Sequence, residues 1–298
     1  MVIVHVMGGL GNQLCQYALS EKLKTLGKTV KLDTYAYTTQ DENYKEWREL
    51  ELEWLEALDY EVCTSEERTA FLDNDMAFLS RVRRKLLGRK DKSLYEKDFY
   101  MPEILEVDDR CLNGYWVCDA YYADIMPMLR SKIRFPISDD VRNQECMKQM
   151  QQEESVSLHI RRTDYLSVAG GERYMGICTQ EYYQSAIRYM EQRLQNPVFY
   201  IFSDDSDYAR EHYKGENIRI VDWNTGKNSM YDMQLMSQCK HNICANSTFS
   251  ILGARLNAFP DKIMIRPLHL DNYEAMSEQE IKNGWKNWIL IDETGSVI

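Results

Sequence analysis

At 298 residues the chain is long enough for one large domain or two ordinary ones, each with a sizeable core. Its 36 basic residues against 47 acidic give a net charge of −11, which excludes nucleic acid as a main partner, since phosphate-backbone binding needs a cationic face. The eight cysteines show neither C-x-x-C nor paired Cys/His spacing, and no apolar run approaches the length of a membrane span, so reduced thiols and a cytoplasmic protein are expected.

Residues 2–7 read as an apolar strand, followed by Gly8-Gly9-Leu10-Gly11-Asn12-Gln13. Leu14, Ala18, Leu19, Leu23 and Leu26 then recur at helical spacing, and Gly27 closes the helix. Residues 29–32 form a second strand ending in Asp33. Strand, glycine turn, helix, strand and acid outline a dinucleotide-binding unit, and a nicotinamide-dependent oxidoreductase is one reading. The third glycine of that fingerprint, however, falls on Leu14. The amides of Asn12 and Gln13 point instead to a hydroxyl-rich ligand near the turn, and glycines that only make a tight turn are a further reading.

From about 40 to 135 the pattern is helical, polar and irregular. Arg81, Arg83, Arg84, Lys85, Arg89, Lys90 and Lys92 cluster around Leu86 and Leu87. Such a cluster is ordinarily a solvated face; peripheral contact of Arg81–Lys92 with anionic lipid head groups is the other reading. Asp73-Asn74-Asp75 reads as surface acids. Pro136, Asp139-Asp140 and the polar run 142–154 mark a change of character, which divides the chain into 1–140 and 141–298.

The second part is regular. Strands at 156–160, 198–202, 218–221, 241–245 and 262–266 alternate with helices, one opening at Thr179 and another at Ser229-Met-Tyr-Asp232, which has capping-box spacing. Alternation with short links predicts an α/β protein with a parallel sheet wound on both sides, and two such units predict a cleft between them. Three strand ends carry chemistry: His159, Arg161, Arg162 and Asp164 on the first, Ser203-Asp204-Asp205 on the second, Asn246-Ser247-Thr248 opening a helix on the third. Guanidinium binds a diphosphate through two parallel bonds, and a helix N-terminus with hydroxyl caps is a seat for the same group. On a strand His159 and Arg161 share one face and Arg162 takes the other, so the two arginines differ in role. Asp204 can accept two hydrogen bonds from a guanine edge or a ribose. Asp205-Ser-Asp207 imitates a metal-binding D-x-D, but Asp207 falls in a first helical turn, where an acid is favoured anyway, and no metal is expected.

These residues resemble the α-1,2-fucosyltransferases of glycosyltransferase family 11. The resemblance is carried by residues 8–14, His159-Ile-Arg-Arg-Thr-Asp-Tyr165, Phe202-Ser-Asp-Asp205 and the long stretch 232–257, in order along nearly the whole chain. It implies a GT-B fold of two Rossmann-like domains, the acceptor side in 1–140 and the donor side in 141–298. It also implies GDP-fucose as donor, a terminal galactose of an oligosaccharide or lipid-linked glycan as acceptor, inversion at the anomeric carbon, and no required metal or cofactor. Arg161, with Ser247 and Thr248, would clamp the diphosphate; Asp204 would hold the guanosine; His159, Arg162, Asn246 and Phe249 would complete the donor site. Gly9, Asn12 and Gln13 would face fucose or acceptor, and Asp164 is the candidate general base. Cys15, Thr163 and the pair Ile251-Leu252 depart from the family pattern, which has an aromatic residue, a glycine and two tryptophans there; acceptor preference is what these put in question. Transfer of the α-1,6 or protein O-linked type, and a non-catalytic sugar-nucleotide binder, are the alternatives.

Overall fold

The computed structural model describes residues 1–40, 48–163, 171–273 and 276–298. The chain divides into two compact units, Met1–Ile133 and Arg134–Ile298.

The first unit holds a four-stranded parallel sheet in the order β2-β1-β4-β3, with β1 at Val2–His5, β2 at Val30–Asp33, β3 at Ser93–Tyr95 and β4 at Arg110–Asn113. Helix α1, Leu10–Thr25, follows β1 through the glycine turn. Gly8 has φ +75°, and a Cβ there would come within 2.4 Å of Asn12 Nδ2, so this turn admits no side chain. Strands β3 and β4 correct the helical reading of residues 40–135. They are only three and four residues long and stand among irregular turns, with a single 3₁₀ turn between them and no regular helix to mark them as strands. Asp33 is not a ribose-binding acid: it is 1% exposed and its carboxylate accepts from Arg68 Nε and the Tyr35 amide and pairs with His5 Nδ1, each at 3.1 Å.

Later in this unit comes α2, Phe78–Leu87, none of whose residues is buried.

The second unit holds a six-stranded parallel sheet in the order β10-β9-β8-β5-β6-β7. Its strands are β5 Glu154–Ile160, β6 Pro197–Ser203, β7 Ile218–Val221, β8 His241–Ile243, β9 Met264–Pro267 and β10 Ile289–Ile291. The helices used below are α3 Val141–Gln152, α4 Gln180–Glu191, α5 Ser206–His212, α6 Met230–Gln238 and α7 Thr248–Leu256. Burial on both faces explains the near-continuous apolar run of β6, whereas β5 alternates Val156, Leu158 and Ile160 with Ser155, Ser157 and His159. Val156, Leu158 and Ile160 pack with Phe199, Ile201, Ile243 and Ile265 on one face. Tyr200, Phe202 and Val221 pack with Leu235 and Met236 of α6 on the other. On that second face β5 presents Ser155 and Ser157, both buried and hydrogen-bonded, with Ser157 Oγ accepting from Asn242 Nδ2 at 2.7 Å. Helices α6 and α7 meet at Gly253, where a Cβ would lie 2.9 Å from Met236 Cβ. Buried Arg255 and Arg266 both stack on Trp285, at 4.7 and 4.2 Å from the ring centroid.

Strand order in this sheet reverses between β5 and β8: β5, β6 and β7 proceed one way, β8, β9 and β10 the other. In open α/β sheets such a switch point opens a crevice beyond the carboxyl ends of the strands.

Candidate functional site

The predicted donor residues gather at this switch point. Leu158 of β5 lies in register with Ile243 of β8, and three residues further along each strand stand Arg161 and Asn246. On the opposite flank Ile160 is in register with Ser203, so Asp204 follows beside Arg161. Three strand ends that are 85 residues apart in sequence thus share one rim.

Asp204 is the knot of this rim. Its Oδ1 accepts from the Arg162 amide at 2.9 Å; its Oδ2 accepts from the Thr163 amide at 3.2 Å and Thr163 Oγ1 at 2.7 Å. Arg161 Nε stands 3.3 Å from the same Oδ2. The carboxylate therefore holds the turn after β5 in shape and aims Arg161. The two arginines differ in surroundings. Arg162 turns to α5, where its Nε pairs with Asp205 Oδ2 at 3.3 Å and its guanidinium lies 3.7 Å from the Tyr208 ring centroid. Asp205 also caps α5 by accepting from the Tyr208 amide at 3.0 Å. Asp207 is exposed and pairs with Arg210 at 3.2 Å. The D-x-D acids are thus engaged separately, and among the described residues no group of three or more His, Cys, Asp or Glu side chains is placed to hold a metal ion.

Ser247 occupies the N-cap of α7 with extended backbone, φ −133° and ψ 127°, yet its side chain makes no capping bond. A serine in that position normally accepts from an amide one turn on. Here the hydroxyl is half-buried and takes no capping role, at a helix N-terminus of the kind that can seat an anion. Thr248 opens the helix. Phe249 follows, its ring centroid 5.9 Å from that of buried His159, and this contact locates the helix tip against β5. Asn246 is buried and does structural work: its Nδ2 donates to the carbonyls of Tyr174 at 3.0 Å and Leu270 at 3.3 Å. It ties together two walls of a cavity of about 230 Å³ lined by Gly176, Ile177, residues 267–269, Asp271, Asn272 and Glu293. Asp164 lies outside the described residues.

Asp232 joins this rim although sequence reading gave it only a capping part. The predicted capping box does not form, since Ser229 makes no side-chain cap. The crossover from β7 to β8 runs α6 back along the sheet, so its first turn stands at the strands' carboxyl edge. Burial pushes the Asp232 carboxyl up to about 7, partly offset by one hydrogen bond from Asn224 Nδ2 at 2.8 Å. Asn224 in turn exchanges bonds with Asn143 of α3, which also accepts from Trp223 Nε1 at 2.8 Å. The signal that could have revealed Asp232 is an acid in the first turn of a mostly apolar helix that follows a parallel strand.

In the first unit, Asn12 is partly exposed at the first turn of α1. Gln13 is fully buried. Its Nε2 donates to the carbonyls of Gly8 at 2.7 Å and Glu49 at 3.1 Å, and its Oε1 accepts from the Leu52 amide at 3.1 Å. Gln13 thus locks the 49–52 segment onto the glycine turn rather than facing a ligand. Glu51 completes that lock by accepting from the Leu10 amide at 2.7 Å, and Arg48 Nη1 reaches Glu51 Oε1 at 3.4 Å next to Gly9. At the end of β3, burial raises the Glu96 carboxyl to about 6 while the amides of Tyr115 and Trp116 donate to it.

Two Rossmann-like α/β units, the second with an arginine and an uncapped helix tip at its switch point, are the make-up of a glycosyltransferase of the GT-B type. The family model described as Glycosyl transferase family 11 matches residues 1–292, and the chain belongs to that family. It is 31% identical over 277 residues to the Alpha-1,2-colitosyltransferase of Escherichia coli, which covers 90% of this chain and 91% of that one. It is likewise 31% identical over 290 residues to the Escherichia coli O-antigen biosynthesis glycosyltransferase WbnK, covering 87% of this chain and 91% of the relative. The Galactoside 2-alpha-L-fucosyltransferase SEC1 of Bos taurus matches at 29% over 103 residues, 34% of this chain and 28% of its own length. Among solved structures, fucosyltransferase NodZ from Bradyrhizobium aligns with TM-score 0.45 and 12% identity over 85% of this chain and 90% of its own.

Proposed function

We propose that the protein transfers L-fucose from GDP-fucose to the 2-hydroxyl of a terminal galactose, with inversion at the anomeric carbon. The observation that carries this reading is the conjunction of Arg161, braced by Asp204, with the uncapped Ser247 tip of α7 at one switch point. As GDP departs, negative charge grows on its phosphates; a fixed guanidinium and helix-end donors stabilise it, worth ~3–4 kcal/mol per donor group. Ionised Asp232 offers two acceptor oxygens to a pair of N–H groups such as those on the guanine edge, and one of its oxygens holds only the Asn224 bond. The acceptor hydroxyl must lose its proton as it attacks; Asp164 is the base in this reading. No metal takes part in it, since the arginine and the helix tip supply the positive charge.

Family membership and the names of the relatives support α-1,2 transfer of a 6-deoxy sugar. A second donor has specific support: one relative matching nine-tenths of the chain is named for colitose, which is fucose without its 3-hydroxyl. Screening GDP-fucose and GDP-colitose against a panel of galactosides, with linkage analysis of the products, tests the proposal. A 1→2 linked product is expected from GDP-fucose. Turnover with GDP-colitose alone would replace the donor, and GDP binding without turnover of either would leave a sugar-nucleotide binder.

A further inference from the structure

Helix α2 is built the reverse way round from an ordinary surface helix. Its polar side faces the protein: the Arg83 guanidinium pairs with Asp73, Arg84 donates to the carbonyls of Asp73 at 3.0 Å and Asp75 at 2.5 Å, and Ser80 Oγ donates to Asp75 Oδ2 at 2.5 Å. At about 100° per residue, Phe78, Leu79, Val82 and Leu86 lie together on the other side. They are exposed by 77, 79, 38 and 76%, and Met76, at 75%, extends the stripe ahead of the helix. Arg81 and Lys85, four residues apart and both exposed, run along one edge of this stripe, and exposed Arg89 and Lys90 follow at its end.

A contiguous apolar face held outward by a polar anchor calls for an occupant. The basic residues around it decide which. A chain of net charge −11 has gathered Arg81, Lys85, Arg89 and Lys90 at the rim of this outward apolar helix, a sign that suits an anionic surface. The long stems of these side chains let the apolar stripe sink while the charges stay at the level of phosphate groups. A second copy of this acidic chain fits less well: a ten-residue helix about 15 Å long offers far less than the ~800 Å² per partner of a stable interface. We propose that α2 docks in the plane of an anionic lipid surface, with Phe78, Leu79, Val82 and Leu86 among the acyl chains and the flanking cations on the head-group phosphates.

Sedimentation of the full chain with vesicles of equimolar phosphatidylglycerol and phosphatidylcholine, and with phosphatidylcholine alone, tests this. Binding is expected to the anionic vesicles only, and to weaken at high salt. A Leu79→Ser, Leu86→Ser variant and an Arg81→Glu, Lys85→Glu variant should each lower partitioning roughly tenfold or more. Both should keep the wild-type circular dichroism, melting temperature and turnover of a soluble acceptor. A wild type that stays in the supernatant with both vesicle types overturns the proposal, as do variants that partition like it. A wild-type dimer that both variants convert to monomer assigns the stripe to a second copy and equally overturns it.

Discussion

Asp204 shows how a residue chosen for a ligand can spend its oxygens on the protein. The sequence offers an acid at a strand end and suggests a nucleoside; the structure gives it four donors from residues 161–163. Such a local knot leaves no periodic trace, so it is not legible beforehand. Asp204→Ala should lower stability by about 1–3 kcal/mol, read from urea midpoints, and should lower turnover by misaiming Arg161. Arg161→Ala should behave differently. The Arg161–Asp204 pair is partly exposed and worth about 1 kcal/mol or less to the fold, while turnover should fall roughly 10²- to 10³-fold. Near-normal turnover would remove the phosphate clamp. Asp232 adds a pH signature. Its folded pKa, raised by burial to about 7 from the ordinary aspartate range, means that the folded state binds its proton more tightly than the unfolded chain. That contribution is complete below the unfolded value and is lost as pH rises through about 7. Asp232→Asn, neutral throughout, should therefore melt above wild type at pH 8, with the gap closing towards pH 5, and should bind GDP more weakly. An unchanged pH dependence of melting would show that Asp232 is not desolvated.

Two helix starts make the same point one level up. Thr179 and Ser247 both look like N-caps in the sequence. Thr179 Oγ1 accepts from the Tyr182 amide at 3.1 Å and also donates to the Glu293 carbonyl at 2.5 Å, whereas Ser247 makes no cap. Thr179→Ala should cost about 1 kcal/mol or more in thermal or urea unfolding. Ser247→Ala should cost the fold little and raise the donor KM; the opposite pattern would return Ser247 to an ordinary capping role. Most elements of the second unit were legible because apolar strands alternate with helices through short links. Strands β3 and β4 were not, being short and separated by a single 3₁₀ turn with no regular helix to set them off. The box at Ser229 was misread because a 3₁₀ turn over Gly226–Ser229 sets the helix start instead, and Asp232 takes Asn224 as its partner.

At the level of the molecule, each unit puts the turns that carry its predicted site residues at the carboxyl edge of a parallel sheet, where α/β architecture opens crevices. The glycine turn was legible as a phosphate-loop outline, but its amides were not: whether Gln13 looks out or in depends on the 49–52 segment, which no local pattern announces. Turnover in the presence of a strong chelator should match that without it; loss restored by a divalent ion would overturn the metal-free reading.

Gly253 gives the second unit an unexpected weak point. It lies well back from the rim, where α7 rests directly on Met236. Because α7 is a stiff rod whose far end carries Ser247, one added methyl there would act as a wedge under a lever. A Gly253→Ala protein would keep every group that meets the sugar nucleotide, yet grip it poorly for want of alignment.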